Sequence, residues 1–416
     1  MTQFVALVDV NNFYASCEQV FNPALRHKPV IVLSNNDGCA ISRSLEAKAL
    51  NIKMATPYFQ FKELARHHNI HICSSNYALY QDMSHRVMQI LRHLSPKIEA
   101  YSIDEAFLDC SDLEEQDLDA FARHVRETIH AWTGLPVSVG ISLTKTLAKV
   151  ANSFAKKSSG LCVLTKEDDI DKVLQDMPIG ELWGIGRNHN KSLISQGIDT
   201  VYKLKKAPPK WIRRQMSVVG ERMAAELNGI SAHQIEDLID HKKMIAVSRS
   251  YATPITDKGE LAQAINGYME RAAEKMRKQG SLASGVVVFV KTNRFHKESY
   301  DSRSHFISLP LACQDTFSLL KAAQQAFEKI YQAGYPYKKS GVCLTGLIRP
   351  EYIQNSLFAK PSPRKDHLMS VIDQINKRHG KRTVTYGAVG FDLKGITSRT
   401  LLSPQYTTRW DQLMTI

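Results

Sequence analysis

Apolar and polar positions run through the same order of elements twice along the chain. In the second half, residues 244–252 alternate as a half-buried strand does, and residues 258–278 place Leu261, Ile265, Tyr268, Ala272 and Met276 on one helical face. Residues 283–291 and 303–309 read as strands, 314–332 as a helix and 341–348 as a last strand. That β-α-β-β-α-β order predicts a ferredoxin-like unit. The first half repeats it with an interruption. Residues 4–10 read as a strand, 77–94 as a helix, 98–110 as paired strands, 118–132 as a helix and 137–143 as a returning strand. Residues 12–76, which follow the first strand, read as a small inserted subdomain.

Between the two halves, residues 166–229 predict short helices with turns at Trp183-Gly184-Ile185-Gly186 and Ala207-Pro208-Pro209-Lys210, and 230–243 read as a polar linker. Past residue 348, Pro350, Pro361 and Pro363 predict an irregular tail. The fold class is therefore α+β, and 416 residues fit two to four domains.

Composition narrows the partners. With 54 Lys plus Arg against 41 Asp plus Glu, the net charge of +13 points to a polyanion, nucleic acid before membrane surface. The surplus is uneven. Residues 1–165 hold 16 basic and 16 acidic residues, whereas 338–416 hold 13 against 5, which marks the tail as an anion-facing arm. No apolar run approaches the roughly 20 residues of a membrane span, so no membrane partner is expected. Residues 1–12 lack the basic start of a signal peptide. Seven cysteines without a CxxC pair fit a reducing compartment, so a cytoplasmic location is expected.

Chemistry is suggested by three acids in apolar surroundings. Asp9 ends the strand Phe4-Val5-Ala6-Leu7-Val8, and Asp104-Glu105 lie within Tyr101-Ser102-Ile103-Asp104-Glu105-Ala106-Phe107. A carboxylate on a buried strand is costly unless hydrogen-bonded or bound to a cation. Neighbours on a strand point to opposite faces, so Asp104 and Glu105 can act together only beside a turn or bulge. In a ferredoxin-like sheet the first strand and the Asp104 hairpin are neighbours, which brings the three acids to one edge. Such a set suits two Mg²⁺ ions astride a phosphate. Taken singly, each acid is better explained by a capped turn or a lysine partner. His67, His68, His71 and Cys73 match no zinc spacing and read as a polar helix end.

The segment from Asp9 to Glu18, Asp-Val-Asn-Asn-Phe-Tyr-Ala-Ser-Cys-Glu, together with Tyr101 to Phe107, resembles the Y-family, or translesion, DNA polymerases. Ser34-Asn35-Asn36-Asp37-Gly38-Cys39, Trp183-Gly184-Ile185-Gly186-Arg187, Ser248-Arg249-Ser250 and Leu402-Ser403-Pro404-Gln405-Tyr406-Thr407-Thr408-Arg409 resemble the UmuC type in particular. The resemblance runs from Phe4 to Arg409. It implies a right-hand polymerase: a ferredoxin-like palm (1–11 and 77–165), small inserted fingers (12–76), a thumb with a helix-hairpin-helix (166–229), a linker (230–243), a ferredoxin-like little finger (244–349) and a tail (350–416).

The resemblance also implies roles by position. Asp9, Asp104 and Glu105 would be the catalytic acids and, with the Val10 carbonyl, the ligands of two Mg²⁺ ions. Tyr14 would be the steric gate against a ribose 2′-hydroxyl. Ser42, Lys48 and Lys156 would contact the dNTP triphosphate, with Leu45 standing where many members of the family carry a tyrosine. Gly184, Gly186 and Arg187 of the hairpin, and Arg249 and Lys291 of the little finger, would contact primer-template DNA. Lys203, Lys205, Lys206, Lys210, Arg213 and Arg214, a run without acids, would track the backbone, and Lys149 would face phosphates. Gln354, Leu357 and Phe358 fit a Q-x-x-L-F peptide for the sliding clamp. Residues 359–416 resemble the tail that engages a processed UmuD-type protein and RecA; a disordered basic arm for DNA is the alternative. The function implied is error-prone extension of primers across damaged template. A metal-dependent nuclease, a non-catalytic DNA scaffold and a DinB-type polymerase are the rivals, and the Leu402–Arg409 segment favours the UmuC type over the last.

Overall fold

The computed structural model describes residues 3–236, 241–295, 300–354, 363–390 and 399–413. The described residues form two compact units, the first from residues up to 236 together with 399–413, the second from residues between 241 and 390.

The first unit runs β1 (Val5–Val10), α1 (Phe13–Phe21), β2 (Val30–Leu33), β3 (Ala40–Arg43), α2 (Leu45–Ala49), α3 (Tyr58–His67), β4 (His71–Ser74), α4 (Tyr77–Leu94), β5 (Ile98–Ala100), β6 (Glu105–Asp109), α5 (Leu118–Thr133), β7 (Val137–Ser142), α6 (Lys145–Ala155), β8 (Leu161–Leu164), α7 (Glu167–Asp176), α8 (Arg187–Ser195), α9 (Val201–Lys206) and α10 (Pro209–Leu227). Its main sheet has the order β5-β6-β1-β7-β8. β1 lies at its centre and is buried on both faces. Ala6, Val8 and Val10 join the core made with α4 and α5, while Val5 and Leu7 pack with Phe107 and Ala148 on the α6 side. α6 approaches closely because β7 carries Gly140, where a Cβ would lie 2.1 Å from the backbone nitrogen of Asn152.

The insert after β1 builds a three-stranded sheet, β3-β2-β4. Alternate residues of β2 serve two cores: Val30 and Val32 join the one that contains α1 and α4, while Ile31 and Leu33 meet Phe61 and Ala65 of α3. α7 to α10 share a further core with Leu147, Val150 and Ala151 of α6. α10 is interrupted at Ser217, which has φ 62°.

The second unit runs β9 (Ile245–Ile255), α11 (Lys258–Lys278), β10 (Leu282–Lys291), β11 (Ser302–Cys313), α12 (Thr316–Ile330), β12 (Tyr337–Ile348) and α13 (Pro363–His379). Its antiparallel sheet has the order β11-β10-β12-β9, with α11 and α12 packed against Val286, Val288, Val290, Val342 and Leu344 on one face. The β-α-β-β-α-β order therefore occurs in both units. The strands interleave differently: the first and third of the set are central in the first unit, the second and fourth in the second.

The tail departs from the irregular course expected of it. Pro363 opens α13, where proline is tolerated because a first-turn N–H has no helical partner. Asp373 on α13 takes two hydrogen bonds, of 2.7 and 2.8 Å, from the Arg277 guanidinium, and Met369 is buried. Residues 399–413 return to the first unit. Among the described residues, no helix is long and apolar enough to cross a membrane.

Candidate active site

Asp9 stands directly opposite Glu105 in the β1–β6 ladder, so both side chains leave the sheet on the α6 side. Asp104 lies in the turn that enters β6. The Ser102 hydroxyl holds that turn, donating to Asp104 Oδ1 at 2.6 Å and accepting from the Asp104 and Glu105 N–H groups at 3.2 and 3.0 Å. The Val10 N–H donates to the Asp104 carbonyl at 2.9 Å, which ties the two segments together. This turn resolves the demand of the pleat: Glu105 begins the strand and Asp104 precedes it.

α6 supplies the counter-charges. Lys156 Nζ lies 2.6 Å from Asp9 Oδ2, and Lys149 Nζ lies 2.8 Å from Glu105 Oε2. Burial is the largest influence on Asp9, which is 6% exposed, and with the neighbouring Glu105 it raises that carboxyl against the opposing pull of Lys156. Burial also pushes Glu105 upward, but the hydrogen bond with Asp9 and the Lys149 ammonium outweigh it and leave Glu105 below the usual carboxylate range. Lys149, expected to face phosphates, is held by Glu105 and by aromatic rings. It lies over the rings of Tyr101, Trp183 and Phe107, at 4.6, 5.3 and 5.8 Å from their centroids. The Trp183 indole donates to the Tyr101 hydroxyl at 3.2 Å, so the tryptophan before the glycine hairpin packs beneath the acids.

The position of α6 depends on Glu226, which is fully buried near the end of α10. Its carboxylate accepts from the N–H groups of Thr146, Ala232 and His233 at 2.9, 2.8 and 3.0 Å. Its backbone carbonyl accepts from the Thr144 hydroxyl at 3.0 Å, at the cap of α6. No pattern in the sequence marks Glu226, because an acid on a polar-looking helix carries no local signal of its partners.

Asn12, with φ 53°, turns the chain from β1 into α1 and delivers Tyr14 beside the acids. The Tyr14 ring stacks on Tyr80 at 4.4 Å and 17° and meets Tyr77 edge-on at 6.1 Å. Burial first, then Tyr77 and the Asp104 charge, raise its phenol. Ser42 faces the same corner, but its hydroxyl donates to the Asn12 carbonyl and accepts from the Ala15 N–H, both at 3.1 Å. Its single proton is used in bracing the start of α1. Lys48 shares the field of Arg43, Lys156 and Asp9; partial burial and then the two neighbouring cations lower its ammonium. Arg43 donates to the Ile52 carbonyl, and its Nε is buried without a partner. Leu45 is 70% exposed.

The cations of the acid-free run from Lys203 to Arg214 are largely neutralised by acids before and after it. Lys205 is buried with Asp171 of α7, which also meets Lys206 at 3.4 Å. Lys203 pairs with Asp199 at 2.8 Å and Arg213 with Glu221 at 3.2 Å. Lys210 and Arg214 remain exposed and without an ion-pair partner among the described residues. Gly184, with φ 93°, makes the turn before α8, Gly186 stands at its cap, and Arg187 opens it, exposed.

In the second unit the β-ladder separates Arg249 from Lys291. Arg249 pairs with buried Ser340 and shares the helix-bearing face with Val247, whereas Lys291 pairs with Lys339 on the open face. Of the three residues expected to dock on a clamp, Gln354 is exposed, and Leu357 and Phe358 lie outside the described residues.

Residues 8–153 match the model of the impB/mucB/samB family, 242–357 that family's C-terminal domain, and 366–416 a domain of unknown function. The chain is 43% identical to Protein ImpB of Salmonella typhimurium over 97% of both chains, and 41% identical to Protein UmuC of Salmonella typhimurium strain LT2 over 99% of both. Its fold is similar to that of a Y-family DNA polymerase chimera, with a TM-score of 0.67 and 21% identity over 83% of this chain and 99% of the other.

Proposed function

Because the chain belongs to the impB/mucB/samB family and shares the Y-family polymerase fold, we propose that it carries out error-prone DNA synthesis opposite damaged template, the translesion step of SOS mutagenesis. The chain is a DNA-directed DNA polymerase. The observation that carries the site assignment is the Asp9–Glu105 pair across β1 and β6, with Asp104 in the adjoining turn and Tyr14 at its side.

The paired Asp9 and Glu105 have the chemistry of a divalent-cation site, although among the described residues no three acids stand close enough together to enclose an ion. They offer hard carboxylate oxygens, one of them on a nearly buried acid whose charge is offset by a single lysine. Asp9, Asp104 and Glu105, with the Val10 carbonyl, would hold two Mg²⁺ ions. When bound, the ions would activate the primer 3′-hydroxyl and neutralise charge on the departing pyrophosphate. Lys156, now on Asp9, would pass to the incoming triphosphate, aided by Lys48 and by the unpartnered Nε of Arg43. Ser42 would act on the same phosphates only indirectly, by fixing the α1 start. Tyr14 would lie under the sugar and exclude a 2′-hydroxyl.

Residues 12–76 would be the fingers, 1–11 and 77–165 the palm, 166–229 the thumb, 230–243 the linker, 244–349 the little finger and 350–416 the tail. Gly184, Gly186 and Arg187 would bind a DNA phosphate at the α8 start, and Lys291 another on the open sheet face; the placement of Arg249 leaves it a lesser role at the sheet edge. Gln354, Leu357 and Phe358 would dock on the sliding clamp, and the tail would engage a processed UmuD-type protein and RecA in the cytoplasm.

Primer extension past an abasic site, with Mg²⁺, dNTPs and the accessory proteins, tests the assignment. Asp104→Asn should abolish it, and surviving activity refutes the role of these acids. Degradation of the primer without dNTPs would instead identify a nuclease.

A further inference from the structure

Two segments singled out in the sequence, Ser34–Cys39 and Leu402–Arg409, have no part in the chemistry above. The structure brings them to one place. Thr400 donates from its N–H and its hydroxyl to Asp37 Oδ2, both at 3.2 Å, and Asp37 Oδ1 accepts from the Ser74 hydroxyl at 2.6 Å. Leu401 exchanges two hydrogen bonds with Ser74, of 3.0 and 2.8 Å. The Asn76 amide donates to the carbonyls of Ser403 and Pro404 at 3.2 and 3.0 Å and to the Ser403 hydroxyl at 3.0 Å. The Tyr406 ring stacks on Phe21 at 5.2 Å and 7°. The returning chain is a strap across the insert, the start of α4 and the end of α1.

At the centre of the strap the Ser403 hydroxyl donates to Glu18 Oε1 at 3.0 Å. Glu18 is 2% exposed and has no cation partner among the described residues. The same oxygen accepts from the Tyr80 hydroxyl at 2.6 Å. Tyr80 is fully buried, and its ring is the one on which Tyr14 stacks. A continuous line of contacts therefore runs from Ser403 through Glu18 and Tyr80 to Tyr14.

We propose that residues 399–406 are a positioning element for sugar selection, with Ser403 and Glu18 fixing Tyr80 so that Tyr14 stands at the height that admits a deoxyribose and rejects a ribose. The proposal rests on Tyr14 as the gate. Its physical basis is simple. Aromatic pairs accept a range of offsets, so stacking alone does not fix the position of one ring along the plane of the other. A hydroxyl bonded to a buried carboxylate fixes that position, and a carboxylate without a cation partner holds its place through its donors. Removal of Ser403 leaves Tyr80 as the one side-chain donor that Glu18 retains among the described residues.

The test is the ratio of ribonucleotide to deoxynucleotide incorporation, measured as kcat/KM on one primer-template with the full-length chain. Ser403→Ala should raise that ratio about fivefold, the effect of roughly one ordinary hydrogen bond, through a lower KM for the ribonucleotide and with kcat for dNTPs unchanged. Tyr80→Phe, which keeps the stacked ring, should act in the same direction. Ser403→Thr, which restores the hydroxyl, should return the ratio to that of the unaltered chain. Tyr14→Ala reports the gate itself. A Tyr14→Ala variant with unaltered selectivity removes the gate and the proposal with it. If Tyr14→Ala relaxes selectivity while Ser403→Ala and Tyr80→Phe leave it unchanged, the gate stands and the strap is only structural, which overturns the proposal. If Ser403→Thr fails to rescue, the hydroxyl is not the connection, and the proposal falls equally.

Discussion

Replacing Glu226 tests how the lysine-bearing helix is held. The carboxylate takes three backbone N–H bonds, of 2.9, 2.8 and 3.0 Å, and the residue is 0% exposed. Glu226→Ala strands those donors. An unmet buried donor costs about 1–3 kcal/mol. Thr146 is buried and pays in full, while Ala232 and His233 are half-buried and recover part of the loss from water. The expected destabilisation is about 3–5 kcal/mol, a large share of the ~5–15 kcal/mol typical of a whole domain. The four tryptophans, Trp132, Trp183, Trp211 and Trp410, all belong to the first unit, so intrinsic fluorescence in a urea titration reports that unit alone. With an m-value of about 3 kcal/mol/M for a unit of this size, the midpoint should fall by about 1 M or more. Glu226→Gln should fall between. Its amide oxygen can still serve Ala232 and His233, but its NH₂ meets the Thr146 N–H, donor against donor. A Glu226→Ala midpoint within about 0.2 M of the parent would refute the reasoning.

Three further outcomes are expected. Lys205 and Lys206 depress the Asp171 carboxyl despite the opposing effect of burial, so its contribution to stability is present above the ordinary aspartate value of 3.8 and is lost as pH falls through and below it; unfolding midpoints between pH 7 and pH 2 should show this, with a flatter profile in Asp171→Asn. Lys156→Ala should raise KM for dNTPs by about tenfold through loss of one charge-assisted phosphate contact, seen in single-nucleotide insertion kinetics, and an unchanged KM would remove Lys156 from the triphosphate site. Lys210→Ala and Arg214→Ala should each reduce the slope of log Kd against log salt for DNA by about one, whereas Lys205→Met should not, because Lys205 already serves Asp171.

What the sequence revealed and concealed follows from the range of each interaction. The apolar face of residues 258–278 and the bounds of α4 were legible because periodicity is local. The Asp9–Glu105 pairing was accessible through the pleat, and the Ser102-held turn supplies what the pleat lacks. Lys205 and Lys206 looked unopposed because Asp171 lies on α7, more than thirty residues earlier. Arg249 and Lys291 looked alike as strand cations, and only the pairing with β12 assigns them to opposite faces. The tail looked irregular because Pro363 reads as a breaker, although at a first helical position it is a starter. The return of Thr400 and Ser403 to Asp37 and Glu18 was out of reach, since nothing local in either segment records the other.

That return has a consequence for the order in which the molecule is completed during its synthesis. Glu18 and Ser403 are separated by 385 positions, so at about 5–20 residues per second the ribosome makes the second roughly 20–80 s after the first. The first unit begins to fold with the Glu18 carboxylate held by Tyr80 alone and with Phe21 lacking Tyr406. Termination before codon 403 therefore leaves a defect beside Glu18 and Phe21, nearly four hundred positions away in sequence. The corner next to Tyr14 is begun by α1 and finished only when Ser403 arrives, 385 positions after Glu18.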